Sequence, residues 1–171
     1  MQAAATARGA GSVPQTPVTP VPAATASSAA TASPSTYLLL PFEQPGIADP
    51  RGADMTHSLL TQLQEHKLDV KVGTPLDHLA AITGAQQLCT GSGAQAIIVP
   101  NVRIEQSSFK GRSHASLRLS LLSCTGSLLG HGAAEADMGQ VFIRNFGASV
   151  VGVTERAMGP AIEQLFPNGS K

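Results

Sequence analysis

Tyr37-Leu38-Leu39-Leu40-Pro41-Phe42 is where this chain begins to read as a fold. The 36 residues before it contain no Leu, Ile, Phe, Asp or Glu. Leu38, Leu39 and Leu40 form a short continuous apolar run, the signature of a strand buried on both faces in a partly parallel sheet. Asp49-Pro50 then reads as a helix start, with Asp49 as cap and Pro50 in the first helical position. Met55, Leu59 and Leu63 recur at four-residue spacing, and Leu60 widens the stripe, so residues 50–66 are predicted to form an amphipathic helix.

Residues 68–72 alternate apolar and polar side chains, which predicts a short half-buried strand. Thr74-Pro75-Leu76-Asp77 opens a second helix, capped by Thr74 and running to Leu88 or Cys89 before Gly91 and Gly93. Residues 94–107 read as a long strand whose alternation changes phase at Pro100, predicting a bulge or bend there. A turn at Lys110-Gly111-Arg112 leads to a strand in which Leu117, Leu119 and Leu121 alternate with Arg118 and Ser120. A Thr125-Gly126-Ser127 turn leads to a third strand, residues 128–136. Residues 146–166 place Val150, Val153, Ala157, Ala161 and Leu165 on one helical face, with Pro160 expected to kink or split that helix. The predicted order is β-α-β-α-β-β-β-α: one mixed sheet with helices packed on it, an α/β (α+β) domain over residues 37–171.

Residues 1–36 are almost wholly Ala, Thr, Ser, Pro, Gly and Gln. They offer too little apolar surface to offset the entropy of ordering, so the sequence predicts a disordered tail or tether. The Pro-rich stretch from Val13 to Pro22 favours polyproline II, and the extended tail would reach on the order of 100 Å.

The bulk numbers exclude several classes. Eleven basic residues balance eleven acidic ones, which argues against a general nucleic-acid binder. Aromatic residues are 4% with no Trp, too few for base- or sugar-stacking platforms. No run of about 18 apolar residues exists to cross a bilayer. Met1 to Ala7 lacks both the positive and the apolar region of a signal peptide. Two expectations follow: a cytoplasmic protein, or an exported one whose leader, and with it any lipid anchor, is missing from this chain.

Few residues carry chemistry. The five histidines, His57, His66, His78, His114 and His131, have no metal-ligand spacing, and no metal or cofactor is expected. Asp54 with His57, and Asp77 with His78, read as solvated surface pairs. Thr90-Gly91-Ser92-Gly93 lacks the lysine and the strand–loop–helix setting of a phosphate loop and reads as a helix end. Cys89 and Cys124 are the only cysteines. The predicted meander brings the start of one strand, near Gln95, beside the end of the next, near Cys124. A bridge there would close a loop of about 35 residues, constrain the unfolded chain by ~4 kcal/mol and place the protein in an oxidising compartment. Two separate buried thiols, acting as small hydrophobes, are the competing reading. Arg103, Lys110, Arg112 and Arg118 lie on or near one hairpin, either as a solvated end or as a basic patch for an acidic partner. Phe142, Ile143 and Phe146, between Gly139 and Gly147, are core or an apolar contact site.

Leu39-Leu40-Pro41-Phe42-Glu43 ahead of Met55-Thr56-His57-Ser58-Leu59-Leu60-Thr61-Gln62-Leu63, with Gly93-Ala94-Gln95-Ala96-Ile97-Ile98 later, resembles the TolB amino-terminal-like group. That group includes the curli-secretion lipoprotein and the lipoprotein activator of penicillin-binding proteins. The resemblance spans most of residues 37–166 but lacks the Asp-Gly-Leu-Thr-Glu stretch common in relatives. It implies a non-enzymatic module that binds an envelope protein, periplasmic or outer-membrane-associated, on a flexible tether. An intracellular regulatory domain of the same fold and a small Cys/His-dependent enzyme are the alternatives.

Overall fold

The structure is a computed structural model that describes residues 36–42, 50–107, 112–138 and 146–167. The tail over 1–36 therefore lies outside the described residues, except Thr36, which opens the first strand. Asp49 as a helix cap also lies outside them.

A five-stranded mixed sheet has the order β2-β1-β3-β4-β5. β1 (Thr36–Leu39) is paired in parallel on both sides, with β2 (Asp69–Val72) and with β3 (Ala96–Ser107). β3, β4 (Arg112–Ser123) and β5 (Leu128–Met138) form an antiparallel meander. The leucine run is explained by this placement: Leu38, Leu39 and Leu40 are all buried because helices cover both faces at the parallel strands.

α1 (Pro50–Glu65) and α4 (Phe146–Leu165) cover one face. Met55, Leu59 and Leu63 of α1 meet Ala157, Met158, Ala161 and Ile162 of α4 over Leu39, Ile98, Leu117 and Leu119. Thr56 ties α1 to the strand exit: its hydroxyl donates to the Gly52 carbonyl (2.8 Å) and accepts from the Phe42 N–H (3.0 Å). Tyr37 stands edge-on to Phe166, ring centroids 5.3 Å apart, and burial pushes its phenol pKa up. α1 ends with Lys67 in the left-handed region (φ 62°), where Leu68 N–H reaches the Leu63 carbonyl and Lys67 N–H the Gln64 carbonyl. α4 packs so closely on β5 that a Cβ on Gly132 would land on the Ala161 carbonyl.

The other face is covered by α2 (His78–Thr83) and α3 (Ala85–Ser92), which bury Leu38, Leu40, Ile97, Val99 and Leu122. Three sequence expectations need correction here. The second helix begins later than Thr74: Asp77 is the cap, its Oδ1 accepting from the Ala80 N–H at 2.7 Å, and the helix is interrupted at Gly84. Glycine is the least costly residue at which to break helical geometry. Pro100 causes no bulge, because pairing of β3 with β1 ends at Ile98 and the donor that Pro100 lacks would face beyond the end of β1. The irregularity falls instead in β5, where Gly130 faces Leu121 but Leu128 faces Leu122, leaving Leu129 as the extra residue. Finally, Pro160 does not split α4; it lies on the exposed side of a continuous helix, where the carbonyl it leaves without a donor is open to water.

Candidate functional site: the open face of the meander

Strand alternation decides which side chains α2 and α3 leave uncovered. Odd positions of β3 and β5 and even positions of β4 point to the α2/α3 side, but those helices cover only the end near Ile97, Val99 and Leu122. Beyond that end the sheet presents Asn101, Arg103 and Glu105 from β3, and Arg112, His114, Ser116 and Arg118 from β4. β5 adds His131, Ala133, Glu135 and Asp137.

Charged side chains of both signs stand side by side on this face. Arg103 Nε meets Glu105 Oε1 at 3.1 Å, with both side chains largely exposed. His114 Nδ1 lies 3.1 Å from Asp137 Oδ1, and its Nε2 lies 3.3 Å from Ser116 Oγ. Exposed pairs of this kind contribute less than about 1 kcal/mol each, so their effect is to order side chains rather than to hold the fold. Arg118 has no such partner among the described residues. A recess of about 500 Å³ runs over Asn101, Arg103, Ser116, Arg118 and Glu135. A second, of about 490 Å³, shares Asn101 and Arg118 and reaches His78 and Ile82 of α2 with Ser120, Leu122 and Leu128.

Cys89 and Cys124 are bonded to each other, Cα atoms 5.7 Å apart. The pairing of Ala96 with Ser123 sets Cys124 beside the start of β3, and Cys89 hangs over it from the last turn of α3. The bridge thus fastens the α2/α3 layer to the meander. Gly93 (φ 71°) terminates α3, its N–H donating to the Cys89 carbonyl at 2.8 Å, so the Thr90-Gly93 stretch is a helix end.

Of the basic patch, Arg103, Arg112 and Arg118 share one face of the sheet, while Lys110 lies outside the described residues. Phe142 and Ile143 lie outside them too, and Phe146 is described only as the first residue of α4. Among the described residues no three His, Cys, Asp or Glu side chains gather to hold a metal ion, and no helix is long and apolar enough to cross a membrane. His57 borders a separate cleft of about 290 Å³ with Pro41, Thr56, Val72 and Pro75 at the carboxyl ends of the parallel strands.

Sequence reading missed how the long edge of the sheet is finished. Ala133 N–H, on the free side of β5, donates to Gln164 Oε1 at 3.1 Å, and Arg156 Nη1 reaches the Asp137 carbonyl at 3.5 Å. Both caps come from α4. Only the helical spacing of Arg156 and Gln164, two turns apart, hints at them in the sequence.

No family model matches the chain, and no curated protein sequence matches it. Among solved structures, the PelC dodecamer from Paraburkholderia phytofirmans is similar with a TM-score of 0.50 and 12% identity, over 77% of this chain and 87% of that one. Lipoprotein GNA1162 from Neisseria meningitidis aligns at a TM-score of 0.45 and 18% identity, over 72% of this chain and 97% of its own. At 12% identity the likeness to PelC is one of fold.

Proposed function

We propose that this chain is a non-enzymatic, protein-binding accessory module of the bacterial cell envelope, of the TolB amino-terminal-like kind, with residues 1–36 as its tether. The observation that carries the reading is the uncovered half of the sheet. Two paired strands, β3 and β4, hold Arg103, Arg112 and Arg118 on one rigid, polar, slightly recessed surface, an arrangement suited to steering and registering a partner. The Cys89–Cys124 bridge supports an oxidising compartment, the periplasm or the outer-membrane surface.

The full chain, as wild type and as Arg103→Glu/Arg118→Glu, tests this as bait in an envelope extract. A discrete envelope protein retained by the wild type and lost by the double variant is the expected result. Identical retention by both baits, or none by either, would overturn the reading.

A further inference from the structure

The two recesses on the open face meet at Asn101 and Arg118, but they differ in chemistry. The outer one already contains opposed charges: Arg103 is engaged by Glu105, and Glu135 stands on the neighbouring strand. Among the described residues, no carboxylate lines the inner one. Its polar groups are the Arg118 guanidinium, the Asn101 amide directly across the ladder, the Ser120 hydroxyl and His78 at its mouth. The acidic residue next in sequence to that mouth, Asp77, is occupied with the Ala80 N–H. The opposite wall is aliphatic, made by Ile82, buried Leu122, and Leu128, which is 56% exposed.

Arg118, with no carboxylate partner among the described residues, and the exposed Leu128, which faces Leu122 four residues along β4, leave two unmet preferences along one recess. One is for an anion able to use the planar guanidinium fork, and the other is for apolar cover. Both are met by one occupant. We propose that the inner recess takes an acidic–aliphatic segment of a partner protein: an Asp or Glu carboxylate on Arg118, steadied by Asn101 and Ser120, and an adjacent Leu, Ile or Val against Ile82, Leu122 and Leu128. The proposal rests on the protein-binding reading and adds to it the chemistry of the bound segment. Arg118 sets specificity through charge, and the aliphatic wall sets it through shape.

Isotope-labelled full chain is titrated with the capped peptide Ser-Gly-Glu-Leu-Gly-Ser and two controls, one with Gln for Glu and one with Gly for Leu. The Glu-Leu peptide is expected to shift the amide signals of Asn101, Arg118, Ser120 and Leu128 saturably. Each control should bind about fivefold or more weakly, and Arg118→Gln should lower the Glu-Leu peptide to the level of the Gln control. Glu163→Gln, on the exposed side of α4 across the sheet, should leave binding unchanged. Equal binding of the Glu and Gln peptides, shifts elsewhere on the surface, no binding, or an Arg118→Gln variant that binds as wild type would each overturn the proposal. Retention of the envelope partner by full-chain Arg118→Gln would sink the carboxylate site while leaving the protein-binding reading standing. A wild-type chain that retains nothing would remove that reading whatever the peptides do.

Discussion

The two faces of this sheet are built to opposite ends. One is closed over all five strands' worth of core by α1 and α4, with backbone touching backbone at Gly132. The other is closed only near β1 and the start of β3, by two short helices fastened with a disulfide, and is then left bare and polar. The difference separates what holds the fold from what is free to meet something else. Substitutions on the closed face should be felt as stability, and those on the bare half as binding.

The bridge gives the sharpest test of how weakly the half-covering layer holds on its own. Cys89→Ser/Cys124→Ser should lower unfolding free energy by about 4 kcal/mol, read by urea denaturation, because a loop of that length is released in the unfolded chain. An unchanged midpoint would mean that the bridge does not constrain the unfolded chain as its loop length implies. Gly132→Ala probes the closed face. A methyl group has no room beneath Ala161, so α4 must lift from β5, at a cost of about 3 kcal/mol. A smaller loss than about 1 kcal/mol would show that this face yields more readily than its packing implies.

Tyr37, the one tyrosine in the chain, offers a spectroscopic check on the same side. Burial raises its folded-state pKa. Its contribution to stability is therefore complete below the phenol's ordinary value and is lost as pH rises through the raised one. Absorbance at alkaline pH should show ionisation later than in the unfolded chain, with stability falling across that interval. Coincident titrations would mean that Tyr37 is not shielded in solution. The smallest expected effect belongs to the bare half: Arg118→Gln should change stability by less than about 0.5 kcal/mol by the same denaturation assay. A larger loss would make that arginine part of the scaffold and blur the division between the faces.

Much of the closed face was legible in advance. The leucine run marks a strand covered on both sides, and the four-residue recurrence of Met55, Leu59 and Leu63 marks the helix that covers it. The five positions assigned to the inner stripe of the last helix, Val150, Val153, Ala157, Ala161 and Leu165, are all buried. Local periodicity sufficed because burial there is repetitive. The bare half was legible only as residues. Arg103 and Arg118 read as a hairpin's charges, but their common face and the recess between them depend on where α2 and α3 stop, which no local pattern records. The displaced irregularity at Leu129 and the later start of α2 at Asp77 have the same origin: neighbouring elements, not the segment's own composition, chose the geometry.

The side chains of Gln164 and Arg156 on the rim of β5 have a bearing on how such a molecule keeps company. A strand arriving at that rim would have to strip away two existing hydrogen bonds before forming its own ladder, and the opposite rim, β2, offers only four residues. Growth by adding strand to strand, the route to runaway fibres, is thus made costly at the long rim and short at the other. Crowding at high local concentration therefore carries little tendency for the protein to zip to its copies.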